Sequence, residues 1–151
     1  MRGKLLMRSL VLLGSILAIS FMLLPVHAEA RNIKVGIIDA YSGPVAVFAN
    51  DALNGFKLAL EDINKKGVLG KKIEFTTRDT KFKVDIALNM AKELVMREDV
   101  DILVGTINSG AALAVSDAVA KKEKVPFMVW ISKTEKLTGE KGHRNDDPFP
   151  Q

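Results

Sequence analysis

The stretch Asp101-Ile-Leu-Val-Gly-Thr-Ile-Asn-Ser-Gly-Ala-Ala-Leu-Ala-Val-Ser-Asp117 decides how this chain folds. Residues 102–104 are a short apolar run suited to a buried strand. A tight polar turn follows, and the apolar spacing beyond it predicts a helix over 109–122 whose first turn is Ser109-Gly110-Ala111. A strand that runs into a helix in this way places free backbone N–H groups and a hydroxyl beyond the strand's carboxyl end. Such a helix start favours an anion, and a carboxylate fits it well. Three uses are open to Ser109: it caps the helix, attacks a substrate, or holds a ligand.

The same alternation extends outward on both sides. Residues 33–40 form a first apolar run, followed by the turn Tyr41-Ser-Gly-Pro44. Over 47–66, Phe48, Ala52, Phe56, Leu60 and Ile63 recur at helical spacing, and Lys65-Lys66-Gly67 supplies a helix stop. Residues 72–77 alternate as a strand, with Ile73 and Phe75 against Glu74 and Thr76. A second helix is predicted over 84–97, and a fourth apolar run, 126–131, reads as a buried strand. The order βαβαβαβ, with near-continuous apolar strands, predicts an α/β fold: an open parallel sheet with helices on both faces.

The N-terminus is set apart from this pattern. Arg2, Lys4 and Arg8 precede an uncharged run over 9–24, and Val26 and Ala28 supply small residues at the positions that a signal peptidase requires. Residues 1–28 therefore read as a secretory signal peptide, with a retained membrane anchor at 9–24 as the alternative. The formal charge of the whole chain is +4, and residues 1–28 hold three basic and no acidic groups, so the remainder balances at +1. No basic stripe for nucleic acid emerges. The absence of cysteine excludes disulfides, a thiolate metal site and a catalytic thiol.

In an open α/β sheet, ligands bind beyond the carboxyl ends of the strands. Those ends are Tyr41 to Pro44, Arg78 to Thr80, Gly105 to Gly110, and Ser132 to Thr134, and three of the four are rich in hydroxyls, glycines or both. Such groups suit a small polar or zwitterionic ligand. No G-x-G-x-x-G follows the first strand, and Gly67-Val-Leu-Gly70-Lys71-Lys72 has the wrong spacing for a phosphate loop, so it reads as a connection. Only two histidines are present, His27 and His143, which leaves little material for a triad or a zinc site. Ile107-Asn-Ser-Gly-Ala111 does not match the nucleophile elbow G-x-S-x-G, which removes the nucleophile reading of Ser109 and leaves cap and ligand hydroxyl. By default Phe48 is a core residue, Asp79 a turn residue, and Asp39 a strand end that bonds locally.

Taken in order, Lys34-Val-Gly-Ile-Ile-Asp-Ala-Tyr-Ser-Gly-Pro-Val-Ala46, Asn54-Gly-Phe-Lys-Leu-Ala59, Glu61-Asp-Ile-Asn-Lys-Lys-Gly67, the segment around Ser109, and Ile131-Ser-Lys-Thr-Glu-Lys-Leu-Thr138 resemble the leucine/isoleucine/valine-binding proteins. These are extracytoplasmic solute receptors of branched-chain amino-acid ABC importers, and the resemblance spans residues 32–144. It implies a type I periplasmic-binding fold of two α/β lobes around a trapped ligand. Residues 29–144 would be a partial N-terminal lobe and 145–151 a divergent tail, so that a second lobe is missing and the chain is truncated.

The resemblance also implies roles. Ser109, with Gly110, falls where the family holds the ligand's α-carboxylate. Ser132 and Thr134 fall in a loop that helps hold carboxylate and ammonium, although Lys133 interrupts its usual run of small residues. Phe48 falls where an aromatic packs on the ligand side chain, and Ser42 and Gly43 shape the same wall. The implied partners are a small-molecule ligand, an amino acid or a related amide or acid, and a membrane ABC permease. The implied location is periplasmic, and no catalytic residue, cofactor, metal or nucleic acid is implied.

Overall fold

The computed structural model describes residues 31–142. The expected signal peptide, the anchor alternative at 9–24, His143 and the tail 145–151 lie outside these residues. In chain order the elements are β1 (Ile33–Asp39), α1 (Ala46–Lys66), β2 (Ile73–Asp79), α2 (Val84–Met96), β3 (Ile102–Gly105), α3 (residues 109–123) and β4 (Phe127–Met128), with a 3-10 turn at Glu135–Leu137. The strands form one parallel sheet in the order β2-β1-β3-β4.

The apolar run of β1 explains its central place. Its residues from Val35 to Asp39 are all buried, because the sheet is covered on both sides. Successive side chains divide between the faces. Val35 and Ile37 join Val104 and Leu53 of α1, with Phe56 edge-on to Phe75 at 5.4 Å. Ile38 and Leu103 instead pack with Ala87, Ala91 and Leu94 of α2 and with Ala111, Val115 and Val119 of α3. The alanines on both helices let α2 and α3 pack closely. Gly36 does the same for α2 on the sheet, since a Cβ there would stand 3.0 Å from Leu94 Cδ1.

Helix boundaries follow the sequence signals. α1 ends with Lys65 and Lys66 in its last turn, and the Gly67 N–H closes on the Ile63 carbonyl at 2.8 Å. α3 departs from the straight helix expected over 109–122. Ser109–Val115 is α-helical, Ser116–Ala120 widens to π geometry, and Lys121–Glu123 resumes the α form.

The fourth strand is shorter than the expected run over 126–131. Only Phe127 and Met128 pair, opposite Leu103 and Val104. No further strand flanks β4 among the described residues, and Met128 is 64% exposed. Beyond Met128 the chain is drawn off the ladder by Trp130, whose indole bonds to Asp39.

Gly105, the last residue of β3, occupies φ +139, and a Cβ on it would sit 1.9 Å from the Ile38 carbonyl oxygen. Backbone cannot yield there as a side chain can. Urea denaturation should show Gly105→Ala destabilised by at least ~2 kcal/mol. Gly36→Ala, which meets only side-chain carbons, should lose less.

Candidate functional site

Because the strands are parallel, their carboxyl ends and the first turns of the following helices share one edge of the sheet. Two aspartates organise this edge, Asp39 buried and Asp79 half-buried, and the expected site residues lie along it.

Asp39 ends β1 fully buried and ties three segments together. Its Oδ1 accepts from Ala40 N at 2.8 Å, from Ile107 N at 2.9 Å and from Thr106 Oγ1 at 3.2 Å. Its Oδ2 accepts from Trp130 Nε1 at 2.7 Å. The loops after β1, β3 and β4 are thus fixed to one side chain. The local bond expected for Asp39 exists, but three long-range partners, Thr106, Ile107 and Trp130, accompany it.

Asp79 plays a similar part at the end of β2, beyond the turn role expected for it. Its Oδ1 accepts from Tyr41 N at 3.0 Å and from Lys81 N at 2.9 Å. Burial on its own would raise the Asp79 carboxyl. The Lys81 N–H, the Ser42 hydroxyl and the Tyr41 and Ser42 N–H groups outweigh burial and hold it below the usual carboxylate range. The Tyr41 phenol is pushed well above its ordinary value, first by burial and then by the charges of Asp39 and Asp79. Tyr41 and Thr80 each bury a hydroxyl that has no hydrogen-bond partner among the described residues, and both lie at this edge.

The cap of α3 is Asn108 and not Ser109. The Asn108 Oδ1 accepts from Ala111 N at 3.1 Å, while its Nδ2 donates to the Phe82 carbonyl at 2.8 Å. Asn satisfies an orphan N–H as well as Ser does, and it lies one residue earlier, where the backbone is still extended. The capping reading of Ser109 is therefore corrected. Its hydroxyl instead meets that of Ser132, with Ser132 Oγ to Ser109 Oγ at 3.0 Å. Two expected site residues, 23 positions apart, are thereby brought into contact.

The other expected residues lie along the same edge, Gly110 directly after Ser109. Gly110 is exposed in the first turn of α3, Thr134 is half-buried just before the 3-10 turn, and Ser42 and Gly43 are exposed in the turn after β1. Phe48 is 57% exposed near the start of α1, which overturns its default as a core residue. Lys133 is exposed. Phe82, an exposed aromatic at φ +59 in the loop after β2, joins the edge unforeseen, as do Trp130 and Asn108. The one sequence signal for Asp39 was a carboxylate closing a run of buried apolar residues.

Among the described residues no group of three or more His, Asp or Glu could hold a metal, and no helix is long and apolar enough to cross a membrane. A groove lined by Lys34, Glu74, Thr76, Arg97 and Glu98 lies toward the amino ends of the strands, away from this edge. Of its charged groups, Lys34 Nζ donates to the Glu98 backbone carbonyl, and the Glu98 carboxylate pairs with Arg78.

Two outcomes follow from this frame. Asp39→Asn sets an amide N–H against the Trp130 indole N–H. It should cost about 2–3 kcal/mol, with a red shift in the emission of Trp130, the chain's one tryptophan. Trp130→Phe should cost about 1 kcal/mol, and the two should be non-additive in a double-mutant cycle. For Asp79 the folded value lies below the unfolded one. Its contribution is full above about pH 4 and is lost as pH falls through the lowered value. A carboxyl-carbon NMR titration should place that midpoint below those of exposed aspartates.

A model of the family described as periplasmic binding protein matches residues 32–146. A Leu/Ile/Val-binding protein homologue of Brucella suis is 33% identical over 114 residues, covering 74% of this chain and 28% of its own. Among solved structures, an ABC-type branched-chain amino acid transporter protein of Rhodopseudomonas palustris superposes with a TM-score of 0.69 at 30% identity, covering 74% of this chain and 30% of its own. The branched-chain amino acid substrate-binding protein LivJ of Streptococcus pneumoniae, solved with isoleucine, gives 0.68 at 31% identity, covering 74% and 32%. A solute-binding protein of R. palustris, solved with 3,4-dihydroxybenzoic acid, also gives 0.68 at 31%, covering 73% and 30%. The chain thus spans about 30% of the length of these relatives. The matched model, the ordered motifs and the β2-β1-β3-β4 sheet agree: this chain belongs to the periplasmic binding protein family.

Proposed function

We propose that the carboxyl edge of the sheet is one wall of a binding site for a small carboxylate-bearing solute, in an exported receptor that delivers its ligand to a membrane ABC permease. The observation that carries the reading is the contact between Ser109 and Ser132, together with the assignment of the helix cap to Asn108. Because Asn108 caps α3, the Ser109 hydroxyl is not used up in holding the helix. One hydroxyl of the serine pair donates to the other, and the remaining proton is available to a ligand oxygen.

The neighbouring N–H groups of Ser109 and Gly110 open the first turn of α3, where a carboxylate is favoured. The ligands named for two of the similar structures, isoleucine and 3,4-dihydroxybenzoic acid, differ in size, ring and amine but share a carboxylate. Thr134 and Ser42 extend the polar wall, and Phe48 offers an aromatic face to the rest of the ligand. The site holds the ligand by hydrogen bonds and packing and makes or breaks no covalent bond in it.

The domain plan consistent with this role is a signal peptide over 1–28, a lobe over 29–144 and a divergent tail over 145–151, with a periplasmic location. A retained anchor at 9–24 would make the same fold a membrane-tethered sensor. Sequencing the N-terminus of the exported protein distinguishes the two, since cleavage leaves Glu29 first.

One wall gives a ligand few contacts, so residues 29–151 tested by themselves should bind weakly, with a Kd in the millimolar range. Isoleucine or 3,4-dihydroxybenzoate added to the labelled chain should shift the NMR amides of Ser109, Gly110 and Ser132. Ser109→Ala should weaken that response by about tenfold. Undiminished binding in Ser109→Ala, or silence at these amides with every carboxylate, would contradict the reading.

A further inference from the structure

The connection between α1 and β2 carries a feature that solute binding does not use. Val68 and Lys71 pair across a two-residue turn, Val68 N to Lys71 O at 2.8 Å and Lys71 N to Val68 O at 2.9 Å. Both central residues have positive φ, Leu69 at 51° and Gly70 at 78°. That pattern belongs to turns whose first position is normally Asn, Asp or Gly. Leu69 is a bulky side chain in a left-handed conformation, and it is 96% exposed. It therefore departs from local preference and recovers nothing by burial.

A single exposed leucine is unremarkable. Its surroundings here are not. Val68 beside it is also exposed, and residues 65–72 carry Lys65, Lys66, Lys71 and Lys72 with no acidic residue. Lys65 pairs with Asp62 at 2.6 Å, Lys72 donates to the Asn64 carbonyl, and Lys71 adds to the field that lowers Asp101. Asp62, Glu74, Asp99 and Asp101 are the acids nearby, with Asp99 and Asp101 both salt-bridged to Arg31. An apolar tip flanked by lysines matches a surface with negative headgroups over an apolar layer.

Position agrees with this match. The turn lies at the amino edge of the sheet, opposite the ligand wall. The Ile33 N–H donates to the Lys72 carbonyl at 2.8 Å, so β1 begins beside it. Contact of this turn with lipid would leave the ligand wall, at the opposite edge of the sheet, clear of the surface.

We propose that the Val68–Leu69 turn is a membrane-interface contact, with Leu69 seated among anionic lipid headgroups and Lys66, Lys71 and Lys72 on their phosphates. The chain has no cysteine, so Leu69→Cys gives a unique attachment point for an environment-sensitive fluorophore in the full-length protein. With vesicles of phosphatidylcholine and phosphatidylglycerol, the probe at position 69 should shift to the blue and be quenched by spin-labelled lipid. The same probe introduced by Asp51→Cys, on the first turns of α1, should not respond. The response should be lost in phosphatidylcholine alone, at high salt, and with Lys66→Glu plus Lys72→Glu.

A second variant separates lipid contact from folding. Leu69→Asn suits the left-handed turn better, so the chain should melt at the same or a higher temperature. A probe introduced by Val68→Cys should nevertheless lose its response in that background. The proposal is overturned by an unchanged probe at position 69 in anionic vesicles, or by equal responses at positions 69 and 51. A response that requires membranes carrying a permease would overturn it in favour of a protein surface.

Discussion

The buried carboxylate of Asp39 is the constraint on which the carboxyl edge of the sheet depends. A polar group at the end of a central strand cannot be left without partners, because desolvation there costs more than most single contacts return. Asp39 meets that requirement with donors from Ala40, Thr106, Ile107 and Trp130. Each donor comes from a loop that the sheet alone would leave free. The need to satisfy one side chain therefore sets the positions of the turns after β1, β3 and β4.

This frame explains why the serines meet. Trp130 draws the chain away from the β4 ladder, and Ser132 follows two residues later. Ile107, held by Asp39, precedes Asn108, which caps α3 and presents Ser109. Ser109 and Ser132 are thus placed by the two ends of one hydrogen-bond network. Asp79 secures the turn carrying Tyr41 and Ser42 in the same manner from the neighbouring strand. The edge is held by the buried Asp39 and the half-buried Asp79, and the exposed Ser42 and Phe48 and the Ser109–Ser132 pair lie along it. Pre-positioning of this kind lowers the ordering cost of binding.

Much of this was legible in the chain. The buried run of β1, the helical spacing of α1 and α2, and the lysine-glycine stop of α1 are local patterns, and each element forms where its pattern lies. The expected site residues were read as positions beyond the strand ends, and Ser42, Ser109, Ser132 and Thr134 do follow strand ends. What the pattern did not reveal were departures with non-local causes. The shortening of β4 follows from the pull of Trp130 and from an unpaired outer side. The π stretch in α3 has no sequence signal that we can identify. Phe48 reads as core by spacing and is exposed, because the buried face of α1 is set by Ala49, Leu53 and Leu60.

By itself the sequence determined the α/β alternation, the parallel sheet with helices on both faces, and the set of hydroxyls at one edge, because these follow from periodicity and chain direction. Tertiary structure alone decided that Asn108 and not Ser109 caps α3, that Ser109 faces Ser132, and that Asp39 joins three loops. Those outcomes depend on which donors and acceptors arrive within 3.5 Å of each other in space, and residues 39, 107 and 130 carry no mark of that proximity along the chain.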